Sequence, residues 1–333
     1  MTATFLDLVD LAAERLGAAV VAANDEFFAP KENLIRPGAA EWREGAYTER
    51  GKWMDGWETR RRRDGGDHDW CILRLGARGI ARGVDVDTSF FKGNYPESCA
   101  IDACDRPGLQ SADELERASW REILTRTMLN GDSHNIIPLE NAPVATHLRL
   151  RIFPDGGVAR LRAYGEVVAD WDRLRRRGDV DLAAVEHGGT VVACSDMFFG
   201  SRHNLIMPGD ATHMGDGWET KRRRGPGHDW TIVRLGAEGT IRRAEIDTRH
   251  FKGNAPGACS LEALRLAGND ALAEGTALES APWLELLPKT PLQPHAKHAF
   301  EEELRPVGDV RFVRFNIFPD GGVGRLRLFG RPR

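Results

Sequence analysis

The residues best suited to chemistry in this chain lie in a short polar segment that occurs twice. The first copy runs from Asp55 to Arg63 and is followed by His68-Asp69-Trp70, and the second runs from Asp216 to Arg224 and is followed by His228-Asp229-Trp230. Each copy brings two carboxylates, a series of cations and an imidazole into one stretch. Carboxylates and imidazoles exchange protons, and guanidinium groups bind anions. The combination indicates a site for a small polar ligand.

The arginines of this segment alternate between two faces if the segment is extended. Glu58, Arg60 and Arg62 would then share one face, and Arg61 and Arg63 would lie on the other. A planar guanidinium group matches a carboxylate in two parallel hydrogen bonds, so one or two of these arginines could hold the acid group of a small anionic substrate. A solvent-exposed face or a salt-bridge ladder explains any single arginine equally well. The matching run of the second copy includes Arg222 and Arg224.

Glu58 and Glu219 are the strongest candidates for a base, because they stand between tryptophan and threonine, where a turn does not readily explain them. Of the ten histidines, only His68 and His228 occur in both copies. A histidine can pass a proton to a leaving group, although a histidine that fixes a loop by hydrogen bonding is the competing interpretation. The two copies thus each hold a candidate acid and a candidate base.

Two further features of the repeat are candidates for the same site. Asp55 and Asp216 precede Gly-Trp, where an aspartate often makes a turn, and a general-base role is an equally open alternative. Each half also has a Lys-Gly-Asn loop, in which the glycine lets the backbone come close to a ligand between an ammonium and an amide group. A plain turn explains this loop almost as well. The loops contain Lys92 and Asn94 in the first half and Lys252 and Asn254 in the second.

Metal and redox chemistry find little support in the sequence. Two carboxylates and a histidine in each half leave a divalent cation open as a cofactor, but their spacing is weak support and no metal ligand is assigned. The sequence has no nucleotide-binding loop and no Ser-His-Asp order. The five cysteines, an odd number without a CxxC pair, favour a reduced, cytoplasmic setting over a disulfide framework.

The chain is long enough for two ordinary domains. Its 333 residues, 41% of them hydrophobic, fit two cores, at a typical size of about 150 residues per domain. The formal charge of −4 argues against a general nucleic-acid or anionic-membrane partner. No stretch approaches the roughly 20 apolar residues of a membrane span, and no export signal is expected. We predict a first module over residues 1–170, a basic linker over 171–180 and a second module over 181–333.

The elements that must position these residues are predicted to be β-strands. Short β-branched or aromatic runs are separated by Pro-Asp-Gly, Gly-Asn and Leu-Gly turns, which is typical of antiparallel strands in a β-sandwich. Helix is expected only as short lids. Apolar residues at helical spacing from Phe5 to Leu16 predict one amphipathic helix that ends at Gly17. The segment from Asp181 to Ala184 predicts its counterpart in the second half.

One segment breaks the repeat. Asp25 and Asp55 are 30 positions apart, whereas Asp196 and Asp216 are 20 apart, so the first half holds an insertion of about ten residues. Tryptophans that have no counterpart could wall a pocket, although burial in the core is the default interpretation. The aromatic residues around the insertion are Trp42, Tyr47 and Trp53.

The order of several rare strings resembles the allantoicase family, over essentially the whole chain and in both halves. The strings of the first half are Asn24-Asp25-Glu26-Phe27-Phe28, Gly51-Lys52-Trp53-Met54-Asp55-Gly56-Trp57-Glu58, His68-Asp69-Trp70, Asp85-Val86-Asp87-Thr88 and Phe91-Lys92-Gly93-Asn94-Tyr95-Pro96. The second set begins at Ser195-Asp196-Met197-Phe198-Phe199. The resemblance implies two jelly-roll modules of the galactose-binding-like type, hydrolysis of allantoate to ureidoglycolate and urea in purine degradation, and a homo-oligomer.

The implied reaction can be matched to the residues. Breaking one carbon–nitrogen bond of allantoate needs an anion clamp, a proton for the departing urea and a base. We expect Arg61 or Arg63 to pair with the carboxylate, and we expect His68 to act as the acid and Glu58 as the base, or the equivalent residues of the second half. The halves differ at Phe90 against His250 and at Arg151 against Asn316, which leaves open whether both modules act. The competing hypothesis is a non-catalytic carbohydrate- or small-anion-binding jelly-roll protein, because fold alone does not imply an enzyme.

Overall fold

The computed structural model describes residues 4–63, 65–265, 278 and 281–333. The chain divides into two compact units, Met1–Val168 and Ala169–Arg333. Each unit is built around an eight-stranded antiparallel arrangement with few helical residues. The all-β class predicted from the turn pattern is therefore confirmed.

The elements of the first unit are mostly strands joined by short connections. Its strands are β1 (Val9–Asp10), β2 (Ala19–Ala23), β3 (Tyr47–Thr48), β4 (Gly51–Lys52), β5 (Trp57–Glu58), β6 (Asp69–Asp87), β7 (Ser98–Cys104), β8 (Arg121–Met128), β9 (His134–Pro138), β10 (Ala145–Phe153), β11 (Gly157–Val158) and β12 (Arg160–Val167). Its helical elements are α1 (Ala112–Glu116) and the 3₁₀ turns Thr4–Asp7, Glu14–Leu16 and Lys31–Ile35.

The second unit repeats this order without the β3–β4 hairpin among its described residues. Its strands are β13 (Val180–Asp181), β14 (Thr190–Cys194), β15 (Trp218–Glu219), β16 (Asp229–Asp247), β17 (Ala258–Leu264), β18 (Leu284–Pro291), β19 (Lys297–Phe300), β20 (Asp309–Phe318), β21 (Gly322–Val323) and β22 (Arg325–Pro332). Its helical elements include α2 (Trp171–Arg175) and the 3₁₀ turns Val185–His187, Arg202–Ile206 and Met214–Asp216. The segment predicted as a linker, residues 171–180, contains α2 and the first residue of β13.

A single long strand organises each unit. In the first half of β6, Leu73 lies between Val20 of β2 and Leu148 of β10. In its second half, Val84 lies between strands β12 and β9, opposite Ala163 on one side. Because β6 changes partners along its length, it passes from one layer of the sandwich to the other, as a jelly roll requires. β16 does the same between β14 and β20, and then between β22 and β19.

The core of the first unit fills the space between these layers. Cys71, Leu73, Val84 and Val86 alternate along β6 and are fully buried. At the crossing point the backbones approach so closely that a Cβ atom on Gly79 would lie 2.5 Å from a carbonyl oxygen of β12. A glycine is therefore required where the strand changes layers. Apolar side chains on alternate positions hold the two layers together.

The single lid helix predicted from Phe5 to Leu16 is wrong. That segment is divided into the two 3₁₀ turns Thr4–Asp7 and Glu14–Leu16, with strand β1 between them. Asp10 is the reason, because its carboxylate accepts hydrogen bonds from the backbone N–H groups of Ala12 (3.0 Å) and of Ala163 in β12 (2.9 Å). An aspartate that bonds nearby backbone competes with helix formation. Asp181 has the same role in the second unit, so the predicted counterpart helix is also absent from the described residues there.

Candidate active site

The candidate base Glu58 is carried by a short and firmly held strand. Its backbone pairs with Gly157 of β11 and, on the other side, forms hydrogen bonds with Ala29. The preceding Trp57 is fully buried and its indole N–H donates to the carbonyl oxygen of Asp25 at 2.8 Å. The backbone of Glu58 is thus bonded on both sides and the preceding Trp57 side chain is fixed, so the Glu58 carboxylate has a defined position. Trp218, its counterpart in the second unit, is also fully buried.

Glu58 lies at the edge of a large open cavity of about 1260 Å³, called here the arginine cavity. Beside Glu58, its lining includes the arginine run, the Gly93-Asn94-Tyr95 loop and the Pro154-Asp155-Gly156 turn. In the first copy of the repeated segment, residues 58–63 therefore line one concave surface. A single cavity that holds a carboxylate and several guanidinium groups is suited to a small anionic molecule.

The four arginines of the run all line the arginine cavity but differ in their partners. Arg60 binds Asp25, with Nε 2.7 Å from Oδ2, and Arg62 forms an ion pair with the buried Asp69. Arg61 and Arg63 are exposed. Within the described residues these two have no hydrogen bond or ion pair with another side chain. Arg60 and Arg62 therefore help to hold the segment in place, and the predicted division of the run into two faces stays a prediction.

The anchors of this arginine run were missed in the sequence. The carboxylate of Asp25 also accepts the backbone N–H of Arg60 at 2.9 Å, and Asp155 accepts the backbone N–H of Arg62 at 2.7 Å. Burial alone would raise the pKa of Asp25, but the hydrogen bonds from Arg60 and from a neighbouring amide lower it below its usual value. A signal did exist, since both aspartates recur in the second half as Asp196 and Asp320.

The carboxylate of Glu58 is buried, and its environment makes it a better base. Asn94 Nδ2 donates a hydrogen bond to Oε1 at 2.7 Å. Burial raises the pKa of Glu58 above its usual value, and the hydrogen bond from Asn94 offsets part of this effect. An ionised carboxylate that is poorly solvated accepts a proton more readily than an exposed one. The predicted role of Asn94 near the ligand thus includes orienting the glutamate.

A second cavity of about 740 Å³ lies on the other side of Glu58 and is called here the aromatic cavity. It shares Glu58 and Asn94 with the arginine cavity. Trp42 forms one wall and lies 5.9 Å from the ring of Phe90, between ring centroids. Lys92 also lines this cavity, on the Lys-Gly-Asn loop. The prediction that Trp42 walls a pocket is supported by this lining.

The insertion supplies this wall as a β-hairpin, β3–β4, in which Tyr47 pairs with Lys52. The ammonium group of Lys52 lies over the Trp42 ring at 4.1 Å from its centroid, which fixes both side chains by a cation–π contact. Trp53 does not line either cavity and instead lies beneath the guanidinium group of Arg43 at 4.6 Å. The hairpin is thus stabilised largely by stacked cations.

Asp55, a candidate base in the sequence, lies in a buried ion pair instead of lining either cavity. Its Oδ2 is 2.6 Å from Nη2 of Arg160, and the backbone N–H of Glu41 donates to the same oxygen at 2.9 Å. Burial alone would raise the pKa of Asp55, but the hydrogen bond and charge of Arg160 lower it below its usual value. Asp216 forms the equivalent pair with Arg325 at 3.2 Å. These contacts indicate a structural role for both aspartates.

His68, the candidate acid, does not reach the cavities either. Its Nδ1 lies 2.6 Å from a carboxylate oxygen of Asp67, and its ring lies 5.3 Å from the ring of Phe153. His228 likewise packs on an aromatic ring, that of Phe318, at 4.6 Å. None of the described residues lining the arginine or aromatic cavity is a histidine. The two histidines are repeated because they pack against the repeated Phe-Pro turn, so the predicted acid role has no geometric support.

The second unit keeps the central contacts of the first. Asn254 Nδ2 donates to Glu219 Oε1 at 2.6 Å, and Arg223 forms an ion pair with Asp229 at 2.5 Å. Arg222 and Arg224 are exposed and, in the described part of the chain, have no polar partner. Lys252 is also exposed. The framework of the repeat is therefore preserved in both units.

No group of three or more His, Cys, Asp or Glu side chains within residues 4–63, 65–265, 278 and 281–333 is arranged to hold a metal ion. All five cysteines are free thiols, and burial raises the pKa of Cys99 and Cys259 to about 12. Such thiols are protonated and unreactive at neutral pH.

The fold and the site together define a class: a tandem jelly-roll protein in which a buried glutamate and a run of arginines line one cavity. The family model for the allantoicase repeat matches the chain twice, over residues 9–168 and 180–333. The chain belongs to the allantoicase family.

Relatives in sequence and structure agree along the whole chain. A probable allantoicase of Photobacterium profundum is 50% identical over 326 residues, covering 98% of this chain and 97% of the relative. A probable allantoicase of Pseudomonas aeruginosa is 50% identical over 332 residues, covering 99% and 98%. The crystal structure of allantoicase from Saccharomyces cerevisiae superposes with a TM-score of 0.78 at 35% identity, covering 97% of this chain and 92% of that one.

Proposed function

We propose that this chain is an allantoicase, which hydrolyses allantoate to ureidoglycolate and urea. Membership of the family over the full length supports this activity. The observation that carries the chemistry is the arrangement of the arginine cavity, where the buried carboxylate of Glu58 shares one surface with the uncommitted Arg61 and Arg63. A site of this composition can bind the carboxylate of a substrate and transfer a proton.

The substrate has one negative charge and two neutral ureido groups on a single carbon. We propose that Arg61 and Arg63 bind the carboxylate, because they are the cations of the segment that no carboxylate of the described residues neutralises. Arg60 and Arg62 are engaged with Asp25 and Asp69, so they shape the site rather than bind the ligand. Two guanidinium groups can hold a carboxylate in parallel hydrogen bonds, which also orients the attached carbon.

Glu58 is proposed to manage the proton. Its carboxylate accepts a proton from water, the water oxygen bonds to the carbon that bears the carboxylate, and the carbon–nitrogen bond to one ureido group breaks. The departing nitrogen then takes the proton held by Glu58 and leaves as urea. No histidine is needed in this scheme, which accords with the position of His68 outside the described cavity lining. The hydrogen bond from Asn94 keeps the Glu58 carboxylate in position during both proton transfers.

The activity can be tested with purified full-length protein and allantoate, by assaying urea and ureidoglycolate together. Replacing Glu58 by glutamine keeps the shape and the contact with Asn94 but removes the base, so urea release should fall by about 10²- to 10⁴-fold. Release of urea in proportion to ureidoglycolate supports the reaction. Binding of allantoate without any urea release by the wild-type protein would instead favour the non-catalytic anion-binding function.

The pH profile gives a second test of the same role. Because burial raises the pKa of Glu58, the rate should fall on the acid side at a pH above the ordinary value of about 4.3 for a glutamate.

Running the assay with and without a chelator tests the divalent cation that the sequence leaves open as a cofactor. A chelator that abolishes turnover in a reversible way would require a metal in the mechanism.

We propose that the protein acts as a homo-oligomer in the cytoplasm. Phe198 and Phe199 are 70% and 63% exposed, and adjacent exposed aromatic residues are typical of a covered surface. Light scattering on the purified protein would determine the assembly, and serine at both positions should weaken it. Five free thiols accord with a reducing compartment. No helix in the described ranges is long and apolar enough to span a membrane.

A further inference from the structure

The two units share a framework but differ in what surrounds the glutamate. In both units, an asparagine donates to the glutamate and alternate cations of the run are tied to aspartates. The strand that carries the glutamate also pairs in the same way, Glu58 with Gly157 and Glu219 with Gly322. Differences in activity between the units would therefore have to come from the walls of the site.

The hairpin wall is the largest of these differences. In the first unit, Phe28 is half-buried beneath the hairpin, where its ring lies 3.6 Å from the position that a Cβ on Gly51 would occupy. The matching residue of the second unit, Phe199, is 63% exposed. The glutamates follow the same trend, since Glu58 is 9% exposed and Glu219 is only half-buried. The hairpin thus covers Phe28, whose backbone N–H bonds to the carbonyl oxygen of Glu58, and the described part of the second unit has no equivalent hairpin.

A second difference is the loop that follows the repeated asparagine, Asn94 or Asn254. Tyr95 and Glu97 both line the arginine cavity. Their counterparts are Ala255 and Gly257, because the Phe-Lys-Gly-Asn segments align directly before them. The ring of Tyr95 packs on Gly131, where an added Cβ would come within 2.4 Å of it, so the ring has a fixed position in the wall. The second unit therefore lacks an aromatic wall and an acid that the first unit presents to a ligand.

We infer that turnover is confined to the first unit, where the β3–β4 hairpin and Tyr95 complete the site, and that the second unit has the framework without the enclosed base. This inference rests on the proposed function and deepens it. A buried carboxylate is the stronger base because its charge is poorly solvated, and the half-buried Glu219 has less of that advantage. One catalytic centre per chain follows.

The matched substitutions Glu58→Gln and Glu219→Gln test the inference in the full chain, by steady-state urea release with thermal unfolding as the folding control. With a single centre, Glu58→Gln loses about 10²- to 10⁴-fold in rate, and Glu219→Gln retains most of the wild-type rate. With two equivalent centres, each variant would retain half of the rate, which would overturn the inference. Losses of the same large size in both variants would overturn it too, because they would show that both glutamates are needed.

The outcomes separate this inference from the proposed function. If neither substitution impairs urea release, Glu58 is not the base and the mechanism falls with the inference. If the two substitutions act equally, the mechanism stands and only the confinement to one unit fails.

A second experiment addresses the walls directly. The double substitution Tyr95→Ala with Glu97→Gly gives the first unit the residues of the second, and the rate at saturating allantoate should fall at least tenfold, which is about 1.4 kcal/mol of barrier. A wild-type rate in that variant would show that this loop does not distinguish the units. If the variant is unfolded, the comparison of Glu58→Gln with Glu219→Gln still decides the inference, because both changes are conservative in shape.

Discussion

Replacing Asp55 by alanine should destabilise the first unit far more than it alters the chemistry. Asp55 and Arg160 are both almost fully buried and meet at 2.6 Å. Arg160 also donates through Nη1 to the Asp55 carbonyl oxygen at 3.0 Å, so the pair closes the segment just before Glu58. Removing one partner leaves a buried charge without compensation, which costs about 3–5 kcal/mol. For a unit of this size that corresponds to a fall of about 6–20 °C in the unfolding temperature.

Differential scanning calorimetry of the full chain measures this effect, since the two units can unfold in separate transitions. The matched control is Asp216→Ala in the second unit. Its partner Arg325 lies farther away, at 3.2 Å, so the loss there should be smaller and should affect the other transition. The pH dependence has a defined sign. The folded pKa of Asp55 is lowered, so the stability it contributes is present above its unfolded pKa of about 3.9 and is lost as the pH falls through the folded value.

The result that would refute this reasoning is specific. If Asp55→Ala unfolded at the wild-type temperature but lost urea release to the extent of Glu58→Gln, then Asp55 would be a chemical group and not a structural one. Activity must be measured well below the unfolding temperature, so that loss of folded protein is not counted as loss of catalysis.

Three further outcomes are expected. Glu58→Gln should raise the unfolding temperature at neutral pH, measured by calorimetry. The pKa of Glu58 is higher in the folded than in the unfolded state, so ionising this residue opposes folding. A lower unfolding temperature would contradict the raised pKa. His147 is buried with its pKa lowered to about 4, so stability should decline as the pH drops from about 6.5 towards that value. His147→Phe, which copies the fully buried Phe312 of the second unit, should flatten that slope in acid-denaturation curves, and an unchanged slope would assign it to other groups. Glutamine at both Arg61 and Arg63 should raise KM for allantoate at least tenfold, whereas glutamine at both Arg222 and Arg224 should not. Equal effects of the two double variants would show that both units bind the substrate carboxylate.

The repeat made much of the site predictable from sequence. Glu58 and the arginine run stood out because a polar segment was kept in two copies without an obvious turn to explain it. The alternation of Arg61 and Arg63 against Arg60 and Arg62 was expected from strand geometry alone. Arg60 and Arg62 do bind Asp25 and Asp69, but all four arginines line the arginine cavity, so the division into two faces stays a prediction. Period-two alternation is a local property, so it needs no knowledge of the rest of the fold.

At other positions a packing contact accounts for the repetition. His68 recurs as His228 because each imidazole lies against a phenylalanine of the repeated Phe-Pro turn, at 5.3 Å and 4.6 Å between ring centroids. Asp55 recurs because a buried arginine from β12 or β22 requires a partner. These partners lie more than 80 residues away in sequence, so a pattern of residue types cannot distinguish them from groups that do chemistry.

The walls of the site were hidden for the opposite reason. Tyr95 and Glu97 directly follow the repeated Phe-Lys-Gly-Asn string, but Ala255 and Gly257 stand at these positions in the second unit. A search for shared residues passes over them, although they line the arginine cavity. The predicted helix at Phe5 to Leu16 failed because Asp10 finds a backbone donor on β12, a partner that only the folded chain supplies.

The 19-residue strand β6 has a consequence for how the first unit opens. Residues 71–74 and 83–87 of one continuous backbone are bonded in different layers, so neither layer can detach without bending a segment that the other still holds. Amide protons at Leu73 and Val84 should therefore exchange with solvent at nearly the same slow rate, through one shared opening of the whole sandwich. Strand β5, which carries the proposed base Glu58, is two residues long and pairs with β11 in a two-stranded sheet outside this ladder, so its hydrogen bonds are not part of that shared opening.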